Sequence, residues 1–427
     1  MTPASSAAPS FADLGIIAPL SNRLSELGYL TSTPVQAATL PAVLSGKDVL
    51  AGANTGSGKT AAFAVPLLQL LLESKTVDKS GAYVRALVLV PTRELAQQVA
   101  DSFLSYSSHL NGQLKIVAAF GGVSVNVQMQ NLRNGADVLV ATPGRLLDLL
   151  SSNAIKLTKV SALVLDEADR MLSLGFTDEL NQVLAALPVK KQTLLFSATF
   201  PEEVRELTAK LLKDPLEYQL QSERESTIEQ RVITVNRPQK TALLAHLIKE
   251  NQWSQALIFV SAKNTCNHLA QKLSKRGISA EVFHGDKAQG ARTRVLDGFK
   301  NGEISVLIAT DIAARGIDID KLPVVINFDL PRSPADYMHR IGRSGRAGEA
   351  GLAVTLISHD EYHHFGIIEK KNKIKLVREQ VLGFEADAEM PIELLSQAKP
   401  LAKPEGTGKK KRKQLPAANV EFWGKKS

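Results

Sequence analysis

The stretch Ala162-Leu163-Val164-Leu165-Asp166-Glu167-Ala168-Asp169 (ALVLDEAD) sets four apolar residues directly before three carboxylates. A continuous apolar run of this kind reads as a strand buried on both faces, the mark of a parallel sheet covered by helices. Its carboxylates emerge where the strand ends. Upstream, Asp48–Asn54 (DVLAGAN) feeds in the same way into Ala53–Thr60 (ANTGSGKT), a glycine-rich turn followed by an alanine-rich helical stretch. Thr55, Gly56, Ser57 and Gly58 form a loop whose backbone N–H groups can curl around phosphate oxygens, and the following helix N-terminus adds partial positive charge. Lys59 is placed to reach the outer phosphates and Thr60 to offer its hydroxyl to Mg2+. Asp166 is placed to hold that ion, through water, and Glu167 to orient or deprotonate an attacking water. Position 53 is Ala where such loops usually open with Gly. Singly, the loop is a Gly/Ser turn and the acidic tetrad a solvated strand end. Together and in this order they predict a chain that binds and hydrolyses a nucleoside triphosphate.

At 427 residues, 44% of them hydrophobic, the chain can build two domains of ordinary size plus a tail. No apolar run reaches the roughly 18 residues of a membrane span. The start, MTPASSAAPS, has neither a basic cluster nor an apolar core, so a secretory signal is not expected and the cytoplasm is. The single cysteine, Cys266, excludes an intramolecular disulfide and a cysteine-rich zinc site. The net charge of +8 is uneven. Residues 401–427 hold eight Lys/Arg and two Glu, a net of +6, which leaves +2 for the other 400. This tail carries Lys409-Lys410-Lys411-Arg412-Lys413, is expected to be disordered, and suits salt-sensitive, sequence-blind attraction to nucleic acid.

Apolar runs alternate with amphipathic stretches along the body of the chain. VRALVLVPT, LKIVAAFGG, ADVLVATPG, ALVLDEAD and QTLLFSATF each end in small, polar or turn residues; QALIFVSA, SAEVFHGD, ISVLIATD, LPVVINFD and GLAVTLIS repeat the pattern. The polar stretch Gln221–Gln230 between the two sets reads as a linker. The expected organisation is a first lobe over 1–220, a linker over 221–230, a second lobe over 231–378 and a basic tail over 379–427. Only the first lobe has a phosphate loop, so one nucleotide is expected to be shared across the cleft, with functional residues at the carboxyl ends of strands.

The strand-end motifs resemble the DEAD-box ATP-dependent RNA helicases, in the bacterial branch with a short basic tail (RhlE-like), from about Phe11 to about Ile374. Besides ANTGSGKT and DEAD, the chain shows GYLTSTPVQ, PTREL, AFGGV, TPGR, SAT, IFVS, QGAR, ATDIAARGID and HRIGRSGR in the family's order. The resemblance implies an α/β fold of two tandem RecA-like parallel-sheet lobes with an ATP/RNA cleft between them. It departs from the family at Ser32, usually proline, and at Ser344, where threonine is commoner.

By this resemblance Gln36 confers preference for ATP, its carboxamide suiting the N6/N7 edge of adenine, with Phe11 supporting the base and Tyr29 packing the same segment. Arg343 and Arg346 are arginine fingers reaching from the second lobe to the γ-phosphate. Asp311 and Asp318 serve the ribose and inter-lobe contacts, and His339 pairs with the acidic tetrad or with SAT. Ser197 and Thr199 couple the nucleotide state to lobe closure by bonding back to the tetrad and its Asp169. Arg93, Gly122, Thr142 and Arg145 in the first lobe, with Arg292 and Thr310 in the second, grip an RNA backbone. Such groups suit phosphate oxygens and carry no base information, and aromatic content of 5% argues against extensive stacking. The paired histidines of Glu361–Gly366 are not expected to form a metal site.

The expectation is an ATP- and Mg2+-dependent enzyme that closes two lobes on single-stranded RNA and so separates strands locally. Relatives of this form imply ribosomal precursors or RNA-decay proteins as settings; a monomer with no membrane partner is the default. Two other readings are an ATP-regulated RNA clamp or annealer, and a DNA helicase of the same superfamily.

Overall fold

The structure, a computed structural model, describes residues 8–53, 56–74, 81–110, 114–219, 228–314, 319, 322–345 and 351–387. The chain divides into two units, Met1–Ala386 and Asp387–Ser427. Of the second unit only Asp387 is described, so the expected basic tail beyond 387, with its run Lys409–Lys413, lies outside the described residues.

The first unit holds two sheets. The strands of the first are β1 (Val49–Gly52), β2 (Val84–Leu89), β3 (Ile116–Ala119), β4 (Ala136–Ala141), β5 (Ala162–Asp166), β6 (Gln192–Ser197) and β7 (Leu216–Gln219). Those of the second are β8 (Ile228–Thr234), β9 (Ala256–Val260), β10 (Glu281–Phe283), β11 (Val306–Thr310), β12 (Val324–Asn327), β13 (Gly351–Ile357) and β14 (Arg378–Glu379). Every pairing is parallel. The orders are β3-β4-β2-β5-β6-β1-β7 and β10-β11-β9-β12-β13-β8-β14. Adding seven to each strand of the first order reproduces the second, so the two lobes share one topology.

The buried runs are explained by two-sided packing. In β5, Ala162 and Val164 face a core that contains Phe63 and Phe103, while Leu163 and Leu165 face a separate one with Met171 and Leu180. In the second lobe Ala256, Ile258 and Val260 of β9 point to one core and Leu257 and Phe259 to another. The alternation of strand side chains sends neighbours to opposite faces, and helices cover both.

Three strands were not foreseen. β7 alternates half-buried and exposed residues at the sheet edge, and β14 is two residues long, so neither shows a buried apolar run. The third, β8, starts at Ile228, inside the stretch expected as linker, whose residues 221–227 lie outside the described set. The second lobe also extends beyond 378. Glu379 accepts from Arg231 (Nη2 to Oε2, 2.7 Å), and Phe384 packs on the β9 core beside His246. A matched charge and an apolar ring thus hold residues 379–384 that composition assigned to the tail.

Candidate functional site

The phosphate loop is built between β1 and the helix Lys59–Glu73. Gly56 and Gly58 have φ of 76° and 91°, a left-handed conformation open to glycine. At Gly58 a side chain is also excluded by space, because a Cβ there would lie 2.4 Å from Gln36 Nε2. Ala53, the departure from the usual glycine, is not among the positive-φ residues. It is buried, and its N–H donates to Ser197 O at 3.1 Å. Lys59 is buried, while Ser57 and Thr60 are half-buried. Thr55 lies outside the described residues.

Gln36 is not a loop residue. It lies in the first turn of helix Pro34–Leu44, 1% exposed; its Nε2 donates to Gly58 O at 3.0 Å and its Oε1 accepts from Thr33 N at 2.8 Å. A carboxamide has two N–H donors and two acceptor lone pairs, and here one of each is spent on the phosphate loop and the start of the helix. Phe11 is 3% exposed within the first-lobe core and presents no open face for a base. Tyr29 departs from expectation as well. It packs edge-on against Tyr106, with ring centroids 6.2 Å apart, and lines an inter-lobe cavity away from the phosphate loop.

At the end of β5 the backbone turns sharply, with Glu167 in the left-handed region at φ 53°. Asp166 is 2% exposed, and burial, opposed by Lys59, pushes its carboxyl up to about 6. Burial pushes Glu167 the same way. There the positive charges of Arg170, Lys59 and Arg343 outweigh it and hold Glu167 below the usual carboxylate range. The tetrad is tied directly to SAT at the end of β6. Asp169 Oδ2 accepts from Thr199 N (3.0 Å) and Oγ1 (2.6 Å), and Ser197 Oγ accepts from Asp169 N at 3.3 Å.

The second lobe supplies the facing residues from helix Pro334–Ile341 and the turn after it. His339 was expected on the tetrad or SAT; its Nδ1 instead accepts from Arg170 Nη2 at 3.0 Å. Burial and the Arg170 charge press the His339 ring down to about 4, against the opposing charges of Asp169 and Glu167. The imidazole is therefore neutral, with Nδ1 the acceptor and the N–H on its other ring nitrogen. Arg343 is 3% exposed and acts electrostatically on Glu167 from across the lobe boundary. Arg346 and Asp318 lie outside the described residues. Asp311, expected at the ribose and in inter-lobe contacts, lines the lobe boundary with Arg170, His339 and Arg343. Arg340 grips both its oxygens, Nε to Oδ1 at 2.5 Å and Nη2 to Oδ2 at 2.7 Å. Arg340, 2% exposed, also donates to Asn327 Oδ1 and Asp329 O and lies over the Phe259 ring.

A second constellation lies on the other side of the seam. Arg93, Thr142, Arg145, Arg292 and the Gly121 turn line one cavity of about 500 Å3, together with exposed Ile312. Gly122, at φ 82°, lets Arg93 lie across the glycine pair; a Cβ there would meet Arg93 Nη1 at 2.2 Å. Arg145 Nη1 donates to Val123 O (3.0 Å) and Gln128 Oε1 (2.8 Å), which props that loop. Arg292 pairs with Glu94 of the first lobe, Nη2 to Oε1 at 2.8 Å, and Gln289 Nε2 approaches the same oxygen at 3.3 Å. Thr310 is buried at the end of β11 and is not among the lining residues.

Arg170, Glu94, Gln289 and Arg340 escaped sequence reasoning. Arg340 was findable: with Tyr337 and Ile341 it forms the i, i+3, i+4 face that helix Pro334–Ile341 buries. Glu94 and Gln289 carry no signal, because they meet across the seam, and Arg170, which pairs with Glu167 in its own lobe, shows none of its contact with His339.

Fold and site define the class: two RecA-like α/β lobes, a phosphate loop and acidic strand end in the first, and basic groups of the second turned toward them. Residues 33–207 match the DEAD/DEAH box helicase model and residues 239–348 the helicase conserved C-terminal domain. The chain is 42% identical over 382 residues to the ATP-dependent RNA helicase DeaD of Mycobacterium tuberculosis (strain CDC 1551 / Oshkosh), covering 89% of this chain and 66% of that protein. It is 42% identical over 369 residues to the ATP-dependent RNA helicase DbpA of Escherichia coli (strain K12), covering 86% and 79%. The structure of S. cerevisiae Dbp5 bound to RNA and ADP BeF3 is similar, with TM-score 0.78 and 32% identity over 87% of this chain and 96% of that one. The chain belongs to the DEAD/DEAH box helicase family. It spans between 56% and 66% of the length of the DeaD relatives it matches.

Proposed function

We propose that this chain binds ATP with Mg2+ at the phosphate loop and hydrolyses it to separate RNA strands locally. The observation that carries this reading is a single buried cluster in which Lys59, Asp166 and Glu167 of one lobe meet Arg170, His339 and Arg343, the last two from the other. Glu167, held ionised by Arg170, Lys59 and Arg343, can accept a hydrogen bond or proton from an attacking water. Arg343 already biases Glu167, so lobe contact and hydrolysis are linked through charge.

Asp166 fits a divalent cation. Burial raises its carboxyl to about 6 and Lys59 only partly offsets this; a hard cation satisfies a buried carboxylate of this kind. Asp166 and Thr60 would hold the ion, which when bound neutralises charge on the transferring phosphoryl group.

On the other side of the seam, Arg93, Thr142 and Arg145 line a path that suits phosphate oxygens. The glycine pair keeps that path close to the backbone. The basic tail adds loose tethering to structured RNA, raising its effective concentration near the core. As the setting we favour ribosome assembly or RNA decay in the cytoplasm, with the protein acting as a monomer; the support is the resemblance to the bacterial branch.

The test is steady-state ATP hydrolysis without nucleic acid, with single-stranded RNA, and with DNA of the same sequence. Strong stimulation by RNA and not by DNA is the expected result. Equal stimulation by both would replace RNA with nucleic acid in general, and stimulation by neither would overturn the reading.

A further inference from the structure

Two cavities lie along the seam, and the Glu94–Arg292 pair stands in the wall of both. The smaller is the proposed backbone path. The larger, about 1010 Å3, lies on the far side of the pair, between helices Arg93–Tyr106 and Gln289–Lys300. Its size is at the upper end of pockets that take small organic ligands.

Its lining is of another chemical kind. Tyr29 is 40% exposed there, and its edge-on contact with Tyr106 fixes the ring while leaving much of it open. Gln98, Ser102 and Thr293 add amide and hydroxyl groups that can both donate and accept. The charges are mostly negative. With Glu94 and Arg292 neutralising each other, Asp101 and Asp297 remain against Lys300. A phosphodiester is disfavoured by such a wall. An uncharged ring with a π face and a polar edge is not.

We infer that the larger cavity is a nucleobase pocket, taking one unpaired base of the bound RNA strand against Tyr29. The strand's phosphates stay with Arg93 and Arg145 in the smaller cavity. This rests on the RNA reading above and adds to it a site for the base. A base held there is out of line with a duplex partner, so occupancy favours the separated strand. Tyr29 thereby acquires a role toward RNA in place of the one expected toward ATP.

The experiment uses the full chain, a non-hydrolysable ATP analogue and single-stranded RNA carrying 5-iodouridine at each position in turn. Photocross-links are mapped by mass spectrometry, and the RNA Kd is measured for wild type, Tyr29→Ala and Tyr29→Phe. The expected result is a cross-link to Tyr29 or Tyr106 from one strand position. Tyr29→Ala then weakens binding about tenfold, in the range of one base–aromatic stack, while Tyr29→Phe binds as wild type does. An abasic residue at that position should weaken wild type by a similar factor and leave Tyr29→Ala unchanged, a comparison that needs no altered fold. If wild type binds the strand but all three proteins bind equally and nothing cross-links in the cavity, the pocket is refuted and the RNA reading stands. If wild type binds no RNA, both fall.

Discussion

Arg292 of the second lobe and Glu94 of the first form an ion pair across the seam, Nη2 to Oε1 at 2.8 Å, with side chains 6% and 7% exposed. The two lobes are covalently joined through a polar linker, yet here a charge on each is buried by the other. A buried pair gains little over water while both partners are present, but removing one leaves an uncompensated charge costing about 3–5 kcal/mol. Lobe contact is therefore conditional on both residues.

Glu94→Ala should separate the lobes, read as lower energy transfer between dyes placed on each, and should reduce RNA-stimulated ATP hydrolysis far more than RNA-independent turnover. Glu94→Ala/Arg292→Ala should be less impaired in lobe contact than Glu94→Ala alone, because the stranded guanidinium is gone. Additive losses in the double-mutant cycle would show that the pair does not couple the lobes.

Asp166→Asn should abolish Mg2+-dependent hydrolysis and yet stabilise the ligand-free protein. The Asp166 carboxyl is raised from 3.8 to about 6 by burial, so the folded state holds its proton more tightly than the unfolded chain does. That contribution is present below pH 3.8 and is lost as pH rises through 6. At pH 7–8 the deficit is up to about 3 kcal/mol, which Asn removes. Thermal unfolding of both proteins between pH 4.5 and 8 checks it: the stabilisation should grow with pH.

The same shift sets an acid limb for activity. Below pH 6 a proton competes with Mg2+ for Asp166, so apparent Mg2+ affinity should fall by about tenfold per pH unit. His339 contributes nothing above pH 5, since its ring is held down at about 4. A His339→Gln variant that retained the wild-type acid limb would agree; one that lost it would reassign the titrating group.

Lys59→Ala should lose nucleotide affinity, and Glu167→Gln should keep nucleotide and RNA binding while turning over at least a hundredfold more slowly, the lower range for a positioned acid–base group. Equilibrium binding of a fluorescent ATP analogue beside single-turnover hydrolysis separates the two. Normal ATP affinity in Lys59→Ala would contradict the role given to the phosphate loop.

Thr199→Ala removes the 2.6 Å hydroxyl bond to Asp169 but leaves its backbone bond in place. Hydrolysis should persist, with fewer strands separated per ATP consumed. Equal reduction of both rates would mean the hydroxyl serves the chemistry instead of its coupling to lobe closure.

The long buried strands were legible because burial on two faces needs apolar residues without interruption. That is why β5 reads directly as ALVL and β9 as ALIFV. Edge strands β7 and β14 were not, since a half-exposed ladder tolerates almost any side chain. In the site, residues whose chemistry is local were readable, namely the glycines of the phosphate loop and Lys59; the Asp169–Thr199 link, 30 positions apart, was implied only by the family resemblance. The partners of Asp311 and Tyr29 were not readable. Asp311 was spent on Arg340, whose burial depends on a helix face, and Tyr29 was drawn to Tyr106 and the other cavity.

By itself the sequence determined which segments become the strands buried on both faces, where the phosphate loop and its acidic partner stand, and that one lobe carries both. These follow from rules acting within a few residues, namely backbone freedom at glycine, apolar periodicity and charge at strand ends. Only the tertiary structure decided which cation faces which carboxylate, that His339 meets Arg170, and that Glu94 closes on Arg292. Those pairings join residues 169 and about 200 positions apart. Their energy exists only once two lobes exclude water between them, and no local pattern in the chain encodes that exclusion.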